Sequence, residues 1–138
     1  MTDINVGAIT EALNDKSDRD LRNVDNTAGA DAVIDFQVPT AENGYTWYRK
    51  YKSGWVEQGG KITLSGGSMA NTVVSLPQQM SDTNYVISCT SGFAGNGDYS
   101  VTIAINTNST TTTSFAFVKH WTSASGICYW EAKGMAAS

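Results

Sequence analysis

The stretch that most constrains this chain is Tyr45–Gly60, YTWYRKYKSGWVEQGG, which holds three of the six tyrosines and two of the four tryptophans. Aromatic residues at this density favour strands, and Ser53-Gly54 is a turn dipeptide. If those two residues form the loop of a hairpin, Lys52 faces Trp55, Tyr51 faces Val56, Lys50 faces Glu57 and Arg49 faces Gln58. An ion pair and an aromatic/β-branched pair then lie across the strands and stabilise them. Each face of such a hairpin is only half apolar, so it needs a further layer to pack on.

Around the hairpin the β signal repeats. Residues 32–38 alternate and are closed by Pro39. After Gly60 residues 61–64 extend a strand, and segments 72–76, 85–89, 99–106, 115–118 and 127–133 read as further strands separated by Gly, Ser, Asn and Pro turns. Seven or eight short strands at this spacing predict an antiparallel β-sandwich or barrel. Cys128, Trp130 and Ala132 share one side of the last strand. Phe115 and Phe117 face one way and Ala116 and Val118 the other, so that strand is apolar on both faces. That pattern fits burial in a sandwich on one side and against another subunit on the other.

Residues 2–24 contain the one credible helix. Val6, Ile9 and Leu13 follow a coiled-coil seam that fails at Lys16 and Asp20. Fewer than two heptads do not hold a helix alone. The segment reads as the end of a longer coiled coil, a weak trimerisation stub, or a frayed amphipathic helix. The expected organisation is a helical stub at 1–24, an extended linker with one strand at 25–44, and a β-sandwich at 45–138.

Composition narrows the chemistry. Thr, Ser, Asn and Gly make up 53 of the 138 residues, which suits turns and a wet polar surface. The net charge is −4 and no basic block exists, which argues against a nucleic-acid partner. No run of 18 apolar residues exists, so no membrane insertion is expected. Two cysteines, Cys89 and Cys128, read as small buried hydrophobes rather than a bridge. With a single histidine they do not match zinc-ligand spacing, and no cofactor is expected. His120 is the only histidine available to a Ser-His-Asp set, and no G-x-S-x-G turn is present. Asp82, Asp98 and Glu131 are the candidate carboxylates of a glycosidase, which needs a pair about 5 to 9.5 Å apart. Solvated surface acids are the plainer reading, so the chain is expected not to be an enzyme.

Four segments, DRDLRNV, YTWYRKYKSGWVEQGG, VSLPQQMSDTNYVISCT and YWEAKGMA, run in order from Asp18 to Ala136. This set resembles a bacteriophage tail fibre tip, a receptor-binding domain similar to the H-type lectin β-sandwich. Lys133 departs from the pattern, since the family often carries an apolar residue there. The resemblance implies a homotrimer on a fibrous stem, carried on the virion, assembled in the host cytoplasm and acting outside it. Its partners would be the rest of the phage tail fibre and a host cell-surface carbohydrate. The alternatives are a fibre-borne depolymerase or deacetylase, and a purely structural tip that closes the trimer. Sugar binding needs aromatic faces with polar and charged groups, and loops at one end of a sandwich collect such groups. A hairpin turning at Asn106–Thr111 would bring Phe93, Asn96, Asp98 and Tyr99 next to Lys119, His120 and Trp121. Those seven are the expected ligand-binding residues. The plainer reading has Trp121 capping the core and His120 as an ordinary surface residue.

Overall fold

The computed structural model describes residues 29–64, 69–92, 102–120 and 126–138. The strands are β1 (Val33–Gln37), β2 (Trp47–Tyr51), β3 (Trp55–Leu64), β4 (Asn71–Ser75), β5 (Val86–Gly92), β6 (Thr102–Ile105), β7 (Ser114–His120) and β8 (Gly126–Met135). A 3-10 turn at Thr107–Ser109 links β6 to β7. The strands form a five-stranded sheet ordered β1-β2-β3-β8-β5 and a three-stranded sheet ordered β4-β7-β6. Every pairing is antiparallel. The expected β-sandwich strands are present, and β1 is an edge strand of the larger sheet. The helix expected at 2–24 lies outside the described residues.

The central hairpin differs from expectation by one residue. Lys50 pairs with Val56, Arg49 with Glu57, Tyr48 with Gln58 and Trp47 with Gly59. The loop is therefore Lys52-Ser53-Gly54. Gly54 N donates to Tyr51 O at 2.9 Å, and Gly54 has φ +90°. A three-residue loop that ends in a left-handed glycine is the next commonest hairpin solution after the two-residue loop. The shift puts Trp55 on the outer face with Trp47, Arg49 and Glu57, and leaves Val56 and Gln58 inside. An apolar residue and a satisfied amide thus share the core face, Arg49 and Glu57 lie on the other, and half-buried Lys50 stands opposite Val56.

β8 is an interior strand of the larger sheet, between β3 and β5. It pairs with β3 along its full ten residues on one side and with β5 on the other. Its inward residues Cys128, Trp130 and Ala132 are buried and alternate with outward Tyr129, Glu131 and Lys133. Trp130 joins the two sheets. Its ring meets Phe115 edge-on at 5.4 Å, and Phe115 meets Phe117 at 5.0 Å and 90°. Edge-to-face contacts of this kind add about 0.5–1.5 kcal/mol to simple burial.

Two polar clasps complete the core. Gln58 is buried, yet its Nε2 donates to Gln78 O at 2.9 Å and its Oε1 accepts from Gln78 N at 2.8 Å. Both ends of the amide are satisfied, which offsets the cost of taking it out of water, and the loop after Pro77 is fixed to β3. The Tyr85 hydroxyl lies 2.8 Å from Thr111 O and 3.1 Å from Ser114 O, which ties the larger sheet to the β6–β7 turn. A Cβ at Gly134 would lie 2.8 Å from Tyr85 Cβ, so only glycine lets that ring sit down on β8. Both cysteines are free thiols. Burial pushes Cys128 up to about 12, with the adjacent Cys89 adding to the shift, and burial raises Cys89 as well. Neither is a ready nucleophile.

Trp130→Ala should cost about 3–5 kcal/mol in chemical denaturation, the range for a core aromatic. A loss below about 1 kcal/mol would place the ring outside the core.

Candidate functional site

Because Trp130 points inward, its neighbours Tyr129 and Glu131 must point outward. The register then lines up the outer face of the larger sheet. Trp47, Gly59, Glu131 and Ser88 form one row across β2, β3, β8 and β5. Lys61, Tyr129 and Thr90 form the next row. These side chains, with Tyr45 and Pro39 from the β1–β2 turn, line an open groove of about 570 Å³. That volume lies within the usual range for small-molecule sites, roughly 300–1,000 Å³.

Each wall has a local cause. A Cβ at Gly59 would fall 2.8 Å from the Trp47 ring and 2.6 Å from Trp130 O. The missing side chain lets the indole lie flat against the strand. The adjoining Gly60 faces inward, where a Cβ would stand 3.3 Å from Trp130 Nε1. The Gly-Gly pair therefore admits one tryptophan on each side of the sheet. Tyr45 comes from a turn organised by Asn43, whose Oδ1 accepts from Thr40 N at 3.0 Å and Thr46 N at 3.1 Å. Asn43 Nδ2 donates to Val38 O at 2.9 Å. Lys61 Nζ sits 4.2 Å from the centre of the Tyr45 ring, a cation–π contact. Glu131 lies 3.6 Å from Lys133, with both side chains about half exposed, so solvent weakens that pair.

The groove thus offers aromatic surface, hydroxyls from Ser88 and Thr90, one carboxylate and one ammonium. This set can stack against an apolar ring face and hydrogen-bond polar substituents around it. Cys89 also lines the groove, and among the described residues no hydrogen bond joins a lining nucleophile to a side-chain base. Asp82 caps a turn, accepting from Asn84 N at 2.7 Å. The adjacent Ser81 bonds to Met135, four residues along β8 from Glu131, or about 13 Å at strand rise.

Of the residues expected to bind ligand, Phe93, Asn96, Asp98, Tyr99 and Trp121 lie outside the described residues, as does Asp98 in its role as a candidate acid. The expected β6–β7 hairpin is present, with Thr102 opposite His120 and Ile103 opposite Lys119. Lys119 shares the inward face of β7 with Phe115 and Phe117 and is fully buried. Sequence reasoning did not select Tyr45, Trp47, Lys61 or Tyr129 as ligand-binding residues. The available signal was the alternation of the last strand, where inward Cys128, Trp130 and Ala132 leave Tyr129 and Glu131 facing water.

The two-sheet arrangement has counterparts among solved structures. An N-truncated R1-type pyocin tail fibre matches with a TM-score of 0.54 and 13% identity, over 97% of this chain and 99% of that one. Two R2 pyocin fibre structures, one of them the C-terminal part of the P. aeruginosa fibre, match at a TM-score of 0.49 and 19% identity. Each match covers 97% of this chain, which spans 36% and 52% of those two structures. No family profile and no curated protein matches the chain. The fold resembles that of the R1-type pyocin tail fibre fragment, aligned over nearly the whole of both chains.

Gly59→Ala should displace Trp47 and destabilise the domain by about 1–3 kcal/mol, the usual cost of overpacking. Tryptophan fluorescence and chemical denaturation read both effects. An unchanged emission maximum together with unchanged stability would show that Trp47 does not lie on Gly59.

Proposed function

We propose that this chain is the tip of a phage tail fibre and attaches the particle to a bacterial surface glycan. The observation that carries the proposal is the groove, in which Tyr45, Trp47 and Tyr129 are grouped with Glu131, Lys61, Ser88 and Thr90. A pyranose has an apolar face that stacks on aromatic rings and a rim of hydroxyls that pair with carboxylates, amines and alcohols. The resemblance to the tail-fibre fold supports the same reading. The chain binds and does not cleave.

The assembly in this reading is a homotrimer. The outer face of the smaller sheet supports it. There Val73, 62% exposed, pairs with Ala116, which is itself fully buried, and exposed Ala104 pairs with half-buried Val118. Val118 belongs to the outward half of the doubly apolar strand recognised in the sequence. The loop-end residues Phe93, Asn96, Asp98, Tyr99, His120 and Trp121 remain a second proposed contact region of the same lectin-like tip.

The test is retention of the purified chain on immobilised bacterial surface polysaccharide. Tyr129→Ala should weaken binding about tenfold, equivalent to the loss of one stacking contact. Glu131→Gln should weaken it by a similar or larger factor through the lost charged acceptor. Both variants should melt like the parent chain. Wild-type retention by both variants would remove the groove as the site, and release of reducing sugar would replace adhesion with depolymerisation.

A further inference from the structure

Tyr45 has φ +60°, in the left-handed region that aromatic residues rarely occupy. Among the described residues, the other non-glycine with positive φ is Met69. Gly44 immediately before it has φ +69°, so the chain makes two consecutive left-handed steps. Glycine is at home there and tyrosine is not. The turn nonetheless holds Tyr45 firmly. Its N–H donates to Thr40 O at 2.8 Å, and Asn43 and Thr46 close the turn on both sides, with Thr46 Oγ1 donating to Asn43 O at 2.9 Å. Gln37 Nε2 donates to Thr46 O at 2.9 Å and ties the turn to β1.

Nothing in the core requires that ring. Tyr45 is 46% exposed, and Lys61 Nζ stands over it at 4.2 Å. A bulky side chain is therefore held in a conformation that favours glycine or asparagine, with its ring at the rim of the groove. Backbone strain persists where the surrounding structure over-determines it, and it collects at binding sites.

We infer that Tyr45 is a preorganised specificity-determining residue of the groove. Its ring and the Lys61 ammonium form one unit that receives a sugar ring, and the strained backbone fixes that unit before the ligand arrives. The inference rests on the glycan reading of the groove. Preorganisation lowers the ordering cost of binding, so the benefit appears in affinity and not in stability.

The experiment compares Tyr45→Phe, Tyr45→Ala, Tyr45→Asn and Tyr45→Gly, measuring thermal midpoint and retention on the immobilised surface polysaccharide. Alanine keeps the backbone penalty and removes the ring. Asparagine and glycine remove both. Tyr45→Asn and Tyr45→Gly should melt higher than Tyr45→Ala, yet all three should bind at least tenfold more weakly than the wild-type chain. Tyr45→Phe should retain binding. Wild-type binding by Tyr45→Asn would overturn the inference, and so would an asparagine variant that melts no higher than the alanine variant. If the unsubstituted chain is not retained on the polysaccharide, the glycan reading itself fails.

Discussion

The contact between Trp130 and Phe115 is the one on which the rest of the molecule depends. It is the edge-on meeting of the two sheets, at 5.4 Å, in the middle of β8. Once Trp130 is inside, the alternation of β8 follows, and the ladders to β3 and β5 carry that parity across the larger sheet. The outer face is then determined residue by residue. Tyr129 and Glu131 point to water because Trp130 does not. The groove is in this sense the reverse side of the core.

The Gly59-Gly60 pair converts that parity into a surface with shape. A Cβ at Gly59 would collide with the Trp47 ring, and one at Gly60 would crowd Trp130 Nε1 at 3.3 Å. Without them, Trp130 packs beneath β3 and Trp47 lies above it. The Asn43-centred turn adds Tyr45 at the rim. Backbone hydrogen bonding, glycine and one strained tyrosine thus arrange aromatic surface on an otherwise polar sheet. That combination is suited to recognising a hydroxyl-rich ring without covalent chemistry.

The strands were legible because alternation and Gly/Pro punctuation are local properties of the sequence. Ile103 and Ile105, Phe115 and Phe117, and Cys128, Trp130 and Ala132 each reveal their own inward face. The hairpin register was not fully legible. Ser53-Gly54 resembles a two-residue loop, and only the left-handed Gly54 closing a three-residue loop shifts the pairing by one. The burial of Lys119 was readable from its parity with Phe115 and Phe117, but the polar end of β7 drew it into the expected binding set. The groove was the least legible feature. It brings β2 and β3 beside a strand some 70 residues later, and that pairing is long-range. The continuation of the strand past Gly60 into residues 61–64 was legible, and the structure has it as one ten-residue strand.

The most direct measurement is a two-dimensional amide and indole NMR titration of the labelled chain with purified bacterial surface polysaccharide. If the outer face of the larger sheet is the binding surface, the Trp47 indole and the amides of Tyr45, Lys61, Thr90 and Glu131 shift together. The Trp130 indole and the outer row of the smaller sheet, Val73 and Val118, stay in place. Saturating shifts confined to Val73, Ala104 and Val118, or to the end of β7, would contradict it.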